Sequence, residues 1–130
     1  MSPYAGQNRG IYFSPEIGDE VMVSFEFGDT NRPIIVGSMW NGVERPPAGE
    51  VYGNEYQNND IKRIATKSGN RLVMDDKNGR ETIVLGTPHH VRVSLFDGGS
   101  QLLLHSDGDI HINAGGTVHM KCAQFLREVG

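Results

Sequence analysis

From residue 61 onward, short β-prone segments recur about every ten residues, and each carries only two or three apolar side chains on one face. Turns rich in glycine, asparagine and aspartate separate these segments, and 17 of the 130 residues are glycine. Alternation with period 2 predicts strands, and helical signals are nearly absent apart from a short, ambiguous stretch at 122–129. The predicted strands lie at 61–66, 71–75, 82–85, 91–96, 101–105, 110–113 and 118–121. The sequence therefore predicts an all-β fold.

The apolar side chains of the last three segments are too few to enclose a core within one chain, because a β-sandwich of this size uses longer strands and aromatic filling. Aromatic residues make up only 8% of the sequence. Three chains wound about a common axis would bury the same side chains against their symmetry copies. We therefore predict a homotrimer whose three chains form an intertwined β-prism. Its predicted trimer core is Leu102, Leu104, Ile110, Ile112, Val118 and Met120.

The segment at 20–27 shows the same alternation, with Val21, Val23, Phe25 and Phe27 on one face. Gly28 and Asp29 end this predicted strand, and a second strand is predicted at 34–40. Pro33 stands at the start of the second strand, where a missing N–H removes no ladder hydrogen bond. A further short strand is possible at 9–13.

These residues fill, in order, the pattern P-x-x-G-x-E-V-x-V-x-F-x-x-G-D-x-x-R-P-x-x-x-G. The matching positions are Pro15, Gly18, Glu20, Val21, Val23, Phe25, Gly28, Asp29, Arg32, Pro33 and Gly37. The pattern resembles the second half of the OB-like domain in VgrG spike proteins of type VI secretion and in phage baseplate spikes. Residues 66–76 resemble the segment with which that family enters its triple-stranded β-helix. Residues 108–115 resemble one rung of that β-helix. A full OB-like domain has about five strands, and only two or three are predicted before residue 41. The resemblance therefore implies that the chain contains only a part of the OB-like β-barrel, about its second half.

The resemblance implies a C-terminal fragment of a longer spike protein with four regions. Residues 1–45 are the C-terminal half of an OB-like domain, 46–60 a linker, 61–122 the triple-stranded β-helix and 123–130 a C-terminal tail. The linker is too short to hold the lysozyme domain that some phage spikes carry there.

The resemblance also implies a function. A structural spike of this family punctures the target-cell envelope in a contractile injection system and carries effectors. Its partners are two further copies of itself, a tail-tube protein, a tip cap protein and effectors, and the target membrane is contacted transiently. The alternatives are a phage tail spike and a trimeric glycan-binding fibre fragment, of which the latter would need exposed aromatic platforms.

Composition argues against several other classes of protein, among them nucleic-acid binders and membrane proteins with spanning helices. The net charge is −4, which opposes a nucleic-acid partner, since a single-strand binder needs a basic groove with stacking aromatics. No apolar run reaches the ~20 residues that a membrane helix requires, and no signal peptide is recognised. We therefore expect the protein in the bacterial cytoplasm before firing, with delivery to the target envelope by a machine. The single Cys122 excludes an intramolecular disulfide and is predicted to be a packing residue.

No residues predict catalysis or a cofactor. His89 and His90 are adjacent and cannot chelate one ion together from a strand, and the other three histidines lie opposite the apolar positions. The acidic groups at 16–20 and 75–76 flank predicted strands and turns, where aspartate accepts backbone N–H groups. We therefore predict that the protein is not an enzyme and has no metal site and no cofactor.

Overall fold

The computed structural model describes residues 4–46 and 59–129, which divide into two units, Met1–Gly53 and Asn54–Gly130. Within the described residues there are nine strands, one 3-10 turn and no α-helix. The all-β prediction is confirmed. The predicted linker at 46–60 falls almost entirely on residues 47–58, which lie outside the described part of the chain.

The first unit contains two hairpins. Strands β1 (Ala5–Gly6) and β2 (Arg9–Gly10) form a two-residue ladder, so the possible strand at 9–13 is present only at its first two residues. Strands β3 (Val21–Phe25) and β4 (Pro33–Ser38) form the longer hairpin. Its register pairs Phe25 with Pro33 and contains a bulge between Met22 and Val23.

Strand β3 ends earlier than the alternation predicts. Residues 26–28 form a 3-10 turn, and Phe27 adopts a left-handed backbone with φ 52°. Phe27 therefore leaves the apolar face on which the sequence analysis placed it, and its side chain is 96% exposed. Strand β4 likewise covers Pro33–Ser38 and does not extend to residue 40.

The second unit contains one five-stranded antiparallel sheet with the strands in chain order. Its strands are β5 (Ile61–Ala65), β6 (Arg71–Asp75), β7 (Thr82–Gly86), β8 (Arg92–Phe96) and β9 (Gln101–His105). All five lie within one residue of their predicted bounds. The connections have four to six residues, so each strand pairs with the next one in the same chain. The sequence analysis did not anticipate this sheet within a single chain.

Residues 106–129 are all described, and none of them belongs to a strand or a helix. The strands predicted at 110–113 and 118–121 are therefore wrong for the single chain, and 122–129 is not helical. A strand is defined by ladder hydrogen bonds to a neighbour, and residues 106–129 pair with no other segment among the described residues.

Candidate functional site

One face of the β5–β9 sheet is almost entirely apolar. Directly paired residues in neighbouring strands place their side chains on the same face, so the register defines two rows across the sheet. The first row is Ile64, Leu72, Leu85, Val93 and Leu104, and the second is Lys62, Met74, Ile83, Leu95 and Leu102. We call the nine Ile, Leu, Val and Met side chains of these rows the apolar face.

The apolar face is open to solvent. Seven of its nine side chains are exposed, among them Leu85 at 58% and Leu102 at 64%, and only Leu72 and Met74 are half-buried. An open groove follows each row, one bordered by Leu72 and Leu85 and the other by Ile83 and Leu95. Soluble monomers rarely expose a contiguous apolar patch of this kind, and such patches mark interaction sites.

The opposite face of the same sheet is the more polar and the more buried. Its central row is Arg63, Val73, Val84, Ser94 and Leu103, in which Val73 and Ser94 are buried. Asp75 is buried on the same face. This sheet exposes its apolar face while it buries part of its more polar one, which is the reverse of the arrangement that stabilises a monomer.

The structure separates the predicted trimer-core residues into two groups. Leu102 and Leu104 lie on the apolar face. Ile110, Ile112, Val118 and Met120 lie in the strandless segment, where all four are exposed. The seven apolar residues contributed by β5–β8 are absent from the predicted trimer core, although the alternation that indicates Leu102 and Leu104 also runs through those strands.

The motif residues near Gly28 build the tip of the β3–β4 hairpin. Gly28 has φ 78°, which favours glycine. The Asp29 carboxylate accepts the Asn31 backbone N–H at 3.0 Å, and the Arg32 guanidinium lies 3.2 Å from the Glu26 carboxylate. These motif residues therefore form the turn after which β4 begins at Pro33.

The motif residues near Gly18 build the turn before β3. The Glu16 backbone N–H donates to the Asp19 carboxylate at 2.8 Å, and the Asp19 N–H donates to the Glu16 carbonyl at 3.1 Å. The Glu20 carboxylate accepts the Asn41 side-chain amide at 3.1 Å. Pro15 precedes this turn, and Gly37 pairs with Met22 beside the bulge in β4. These carboxylates serve turn and loop structure.

The second acidic group is also part of a turn. The Asp75 carboxylate accepts the Lys77 backbone N–H at 3.0 Å, and the Asp76 N–H donates to the Asp60 carbonyl at 2.9 Å. Both residues thus stabilise the end of β6, as aspartate does in turns.

The histidines lie in a turn, at a strand end and in the strandless segment. His89 and His90 occupy the turn between β7 and β8, where His90 has φ 63°. His105 lies 3.1 Å from the Asp107 carboxylate, and His111 lies 3.8 Å from that of Asp109. Within residues 4–46 and 59–129, no three His, Cys, Asp or Glu side chains are grouped as metal ligands.

Two further features concern the described residues. Cys122, predicted to be a packing residue, is an exposed free thiol. No helix in this part of the chain has the length and apolar character needed to cross a membrane.

The hairpin tip and the turn before β3 lie in a segment that matches a family of known proteins. Residues 1–40 match the Type VI secretion system/phage-baseplate injector OB domain. This class is the one that the motif residues indicated.

The chain is also similar in sequence to curated proteins over 85–87 residues. The chain is 38% identical over 87 residues to the type VI secretion system spike protein VgrG1a of Pseudomonas aeruginosa, which covers 63% of this chain and 13% of that protein. The spike protein VgrG1c of the same organism is 38% identical, with 63% and 12% covered. The actin cross-linking toxin VgrG1 of Vibrio cholerae is 34% identical over 85 residues, with 63% and 8% covered.

These matches confirm the predicted resemblance to VgrG-type spike proteins of type VI secretion systems. The chain spans 13% or less of the length of these three relatives. The similarity is therefore to a part of each of these spike proteins.

Proposed function

We propose that this chain is part of a homotrimeric spike of a contractile injection system, and that the apolar face of β5–β9 packs against two further copies of itself. The observation that carries this proposal is the nine-residue apolar face, which is exposed in the single chain. Cyclic symmetry lets one patch serve three subunits, because the same surface is buried three times around one axis.

The gain from burial is large for each chain. Full burial of a Val, Leu, Ile or Met side chain contributes about 1.5–3 kcal/mol. The free energy gained by burying nine such side chains is comparable with the whole stability of a domain. Leaving them in water would therefore be costly for a chain without a partner. Lys62 is the only polar member of the two rows, and it lies on the edge strand β5, where its ammonium donates to the Asn59 carbonyl.

The remaining predicted core residues extend the same interface along the chain. Ile110, Ile112, Val118 and Met120 are exposed and alternate with polar residues, as the strands of a triple-stranded β-helix do. We propose that 61–122 forms the trimeric β-structure, that 1–45 belongs to an OB-like domain and that 123–130 is a tail beyond the β-structure.

The proposed role is mechanical. A trimer whose strands are bonded across chains resists axial load, because separating one strand breaks ladder bonds to other subunits. Such a spike would puncture the target-cell envelope and carry effectors without catalysis of its own. By resemblance, its other partners are a tail-tube protein and a tip cap protein, and it is made in the bacterial cytoplasm and delivered to the target-cell envelope by the injection machine. The family match covers both secretion and phage-baseplate proteins, so a phage tail spike is the second candidate.

Light scattering on the purified chain tests the proposal, with expected mass three times the 14.3 kDa of one chain. In Leu102→Asp, three carboxylates would converge on a dry interface, where burying unpaired charge is strongly unfavourable. We expect this variant to lose the trimer.

Gln101→Asp is the matched control. It adds the same charge one residue away, on the opposite and exposed side of β9, and we expect it to keep the trimer. A wild-type mass of one chain, or equal behaviour of the two variants, would contradict the proposal.

A further inference from the structure

The more polar face of the β5–β9 sheet carries two arginines on either side of a glycine. The row of this face nearest the β5–β6 turn is, in strand order, Ala65, Arg71, Gly86, Arg92 and His105. Neighbouring strands lie about 4.8 Å apart, so the backbones of Arg71 and Arg92 are roughly 10 Å apart. Because glycine has no side chain, Gly86 leaves a gap between the two arginines.

Both arginine side chains border this gap. A Cβ atom built at Gly86 would lie 3.8 Å from the Arg71 Nε and 3.7 Å from the Arg92 Cβ. Arg71 and Arg92 are exposed, and neither guanidinium is paired with a carboxylate among the described residues. The Asp107 carboxylate, beyond the end of the same row, lies 3.1 Å from His105. Two positive charges therefore border one gap, and no described carboxylate neutralises them.

The surrounding sequence concentrates positive charge in this half of the sheet. Residues 63–73 and 84–94, which form this half of strands β5–β8 with their two turns, include four Lys and Arg residues and no Asp or Glu. The acidic residues of the same strands and turns lie in the opposite half, at positions 75, 76, 81 and 97. The chain has a net charge of −4, so this basic region differs from the molecule as a whole.

We propose that Arg71 and Arg92 together bind the phosphate group of a phosphate monoester. The guanidinium fork forms paired, charge-assisted hydrogen bonds with phosphate and carboxylate oxygens. Two arginines balance the charge of a dianion, and a phosphate monoester carries nearly two negative charges at neutral pH. A carboxylate or a phosphate diester carries one negative charge and would leave one arginine unbalanced.

The proposed site goes beyond the spike function and does not depend on the trimer, because all its residues belong to one chain. In the proposed trimer it would lie on the sheet face that points away from the packed apolar face. The site would then be accessible to a ligand in each of the three copies.

Isothermal titration calorimetry of the whole chain with sodium phosphate tests the site, at constant ionic strength and about pH 8, where phosphate is a dianion. We expect saturable binding that is about tenfold or more weaker in Arg71→Gln and in Arg92→Gln, because each change removes charge-assisted hydrogen bonds. Arg71→Lys keeps the charge but not the fork, and its affinity should be intermediate. Circular dichroism establishes that each variant is folded.

Arg80→Gln is the matched control. It removes the same charge from the exposed β6–β7 turn, in the acidic half of the sheet, and we expect it to bind phosphate like the wild-type protein. Sodium acetate at the same ionic strength is the control ligand, and we expect it to bind more weakly than phosphate. No phosphate binding, equal affinity for acetate or an equal loss in Arg80→Gln would overturn the site, while the mass in solution tests the trimer separately.

Vesicles distinguish the two sources of such a phosphate group. Phosphatidylcholine vesicles that contain phosphatidic acid present a phosphate monoester, and those that contain phosphatidylglycerol present only diesters. Cosedimentation with the phosphatidic acid vesicles that is lost in Arg71→Gln and Arg92→Gln would assign the site to a lipid headgroup. Phosphate binding by calorimetry without such cosedimentation would assign it to a soluble phosphate ester.

Discussion

Gly98 shows how a single residue can fix the distance between two turns. A Cβ atom built at Gly98 would lie 2.6 Å from the Gly79 carbonyl oxygen, which is closer than real Cβ contacts. Gly79 lies in the β6–β7 turn and Gly98 in the β8–β9 turn, so these two turns touch through their backbones at one end of the sheet. The sequence predicts both turns from their Asp, Asn and Gly content, but it contains no signal for their close approach.

Gly98→Ala should lower the free energy of unfolding by roughly 1–3 kcal/mol, the usual cost of forcing an added methyl group into a packed site. The neighbouring Gly99→Ala is the control, because a Cβ there would meet only the flexible Gln101 side chain at 3.5 Å. Its expected effect is within about 0.5 kcal/mol, as for ordinary surface substitutions. Urea denaturation followed by circular dichroism measures both. A loss within about 0.5 kcal/mol for Gly98→Ala as well would show that the turns can separate without penalty.

At the scale of the element, strand existence is easier to predict than strand bounds. The five strands of the sheet follow from apolar alternation between glycine-rich turns. The end of β3 does not, because Phe27 continues the period-2 pattern while the Asp29 N–H donates to the Glu26 carbonyl at 3.0 Å and closes a 3-10 turn over residues 26–28. Local hydrogen bonds at the hairpin tip therefore override the apolar pattern, and no alternation in the sequence reveals this.

The segment 106–121 carries the most specific prediction about an element. Ile112→Asp should abolish the trimer and give a monomer or an aggregate, because three like charges would meet at a dry axis. Asn113→Asp is the control, since it adds one charge of the same kind on the other side of the proposed strand. Size-exclusion chromatography with light scattering separates the outcomes. A normal trimer for Ile112→Asp would exclude the assigned orientation of these side chains.

At the scale of the whole molecule, the sequence predicts which residues alternate but not which face of a sheet is covered. Leu102 and Leu104 were identified as core residues from their own strand alone. Ile83, Leu85 and Leu95 obey the same rule, yet their membership of one face becomes evident only when the register of β5–β9 is known. The sequence also does not reveal which surface covers that face, because the proposed partner is a second copy of the same chain.

Amide hydrogen exchange on the intact wild-type protein compares the two ends of the chain. We expect fast exchange in β3, because a two-stranded hairpin is marginally stable alone and both its faces carry exposed side chains, such as Met22 and Phe25. Residues 110–120 should exchange more slowly, since backbone bonds to other copies would protect amides that form no ladder with the described part of their own chain.

The variant Ile112→Asp supplies the internal reference for this measurement. It should release protection in 110–120 while leaving β3 unchanged, because only the former depends on a second copy. If residues 110–120 of the wild-type protein exchange as fast as β3, these amides have no partner strand, and the segment is a solvent-exposed extension of the sheet. Slow exchange that persists in Ile112→Asp would instead place the protecting partner within the same chain.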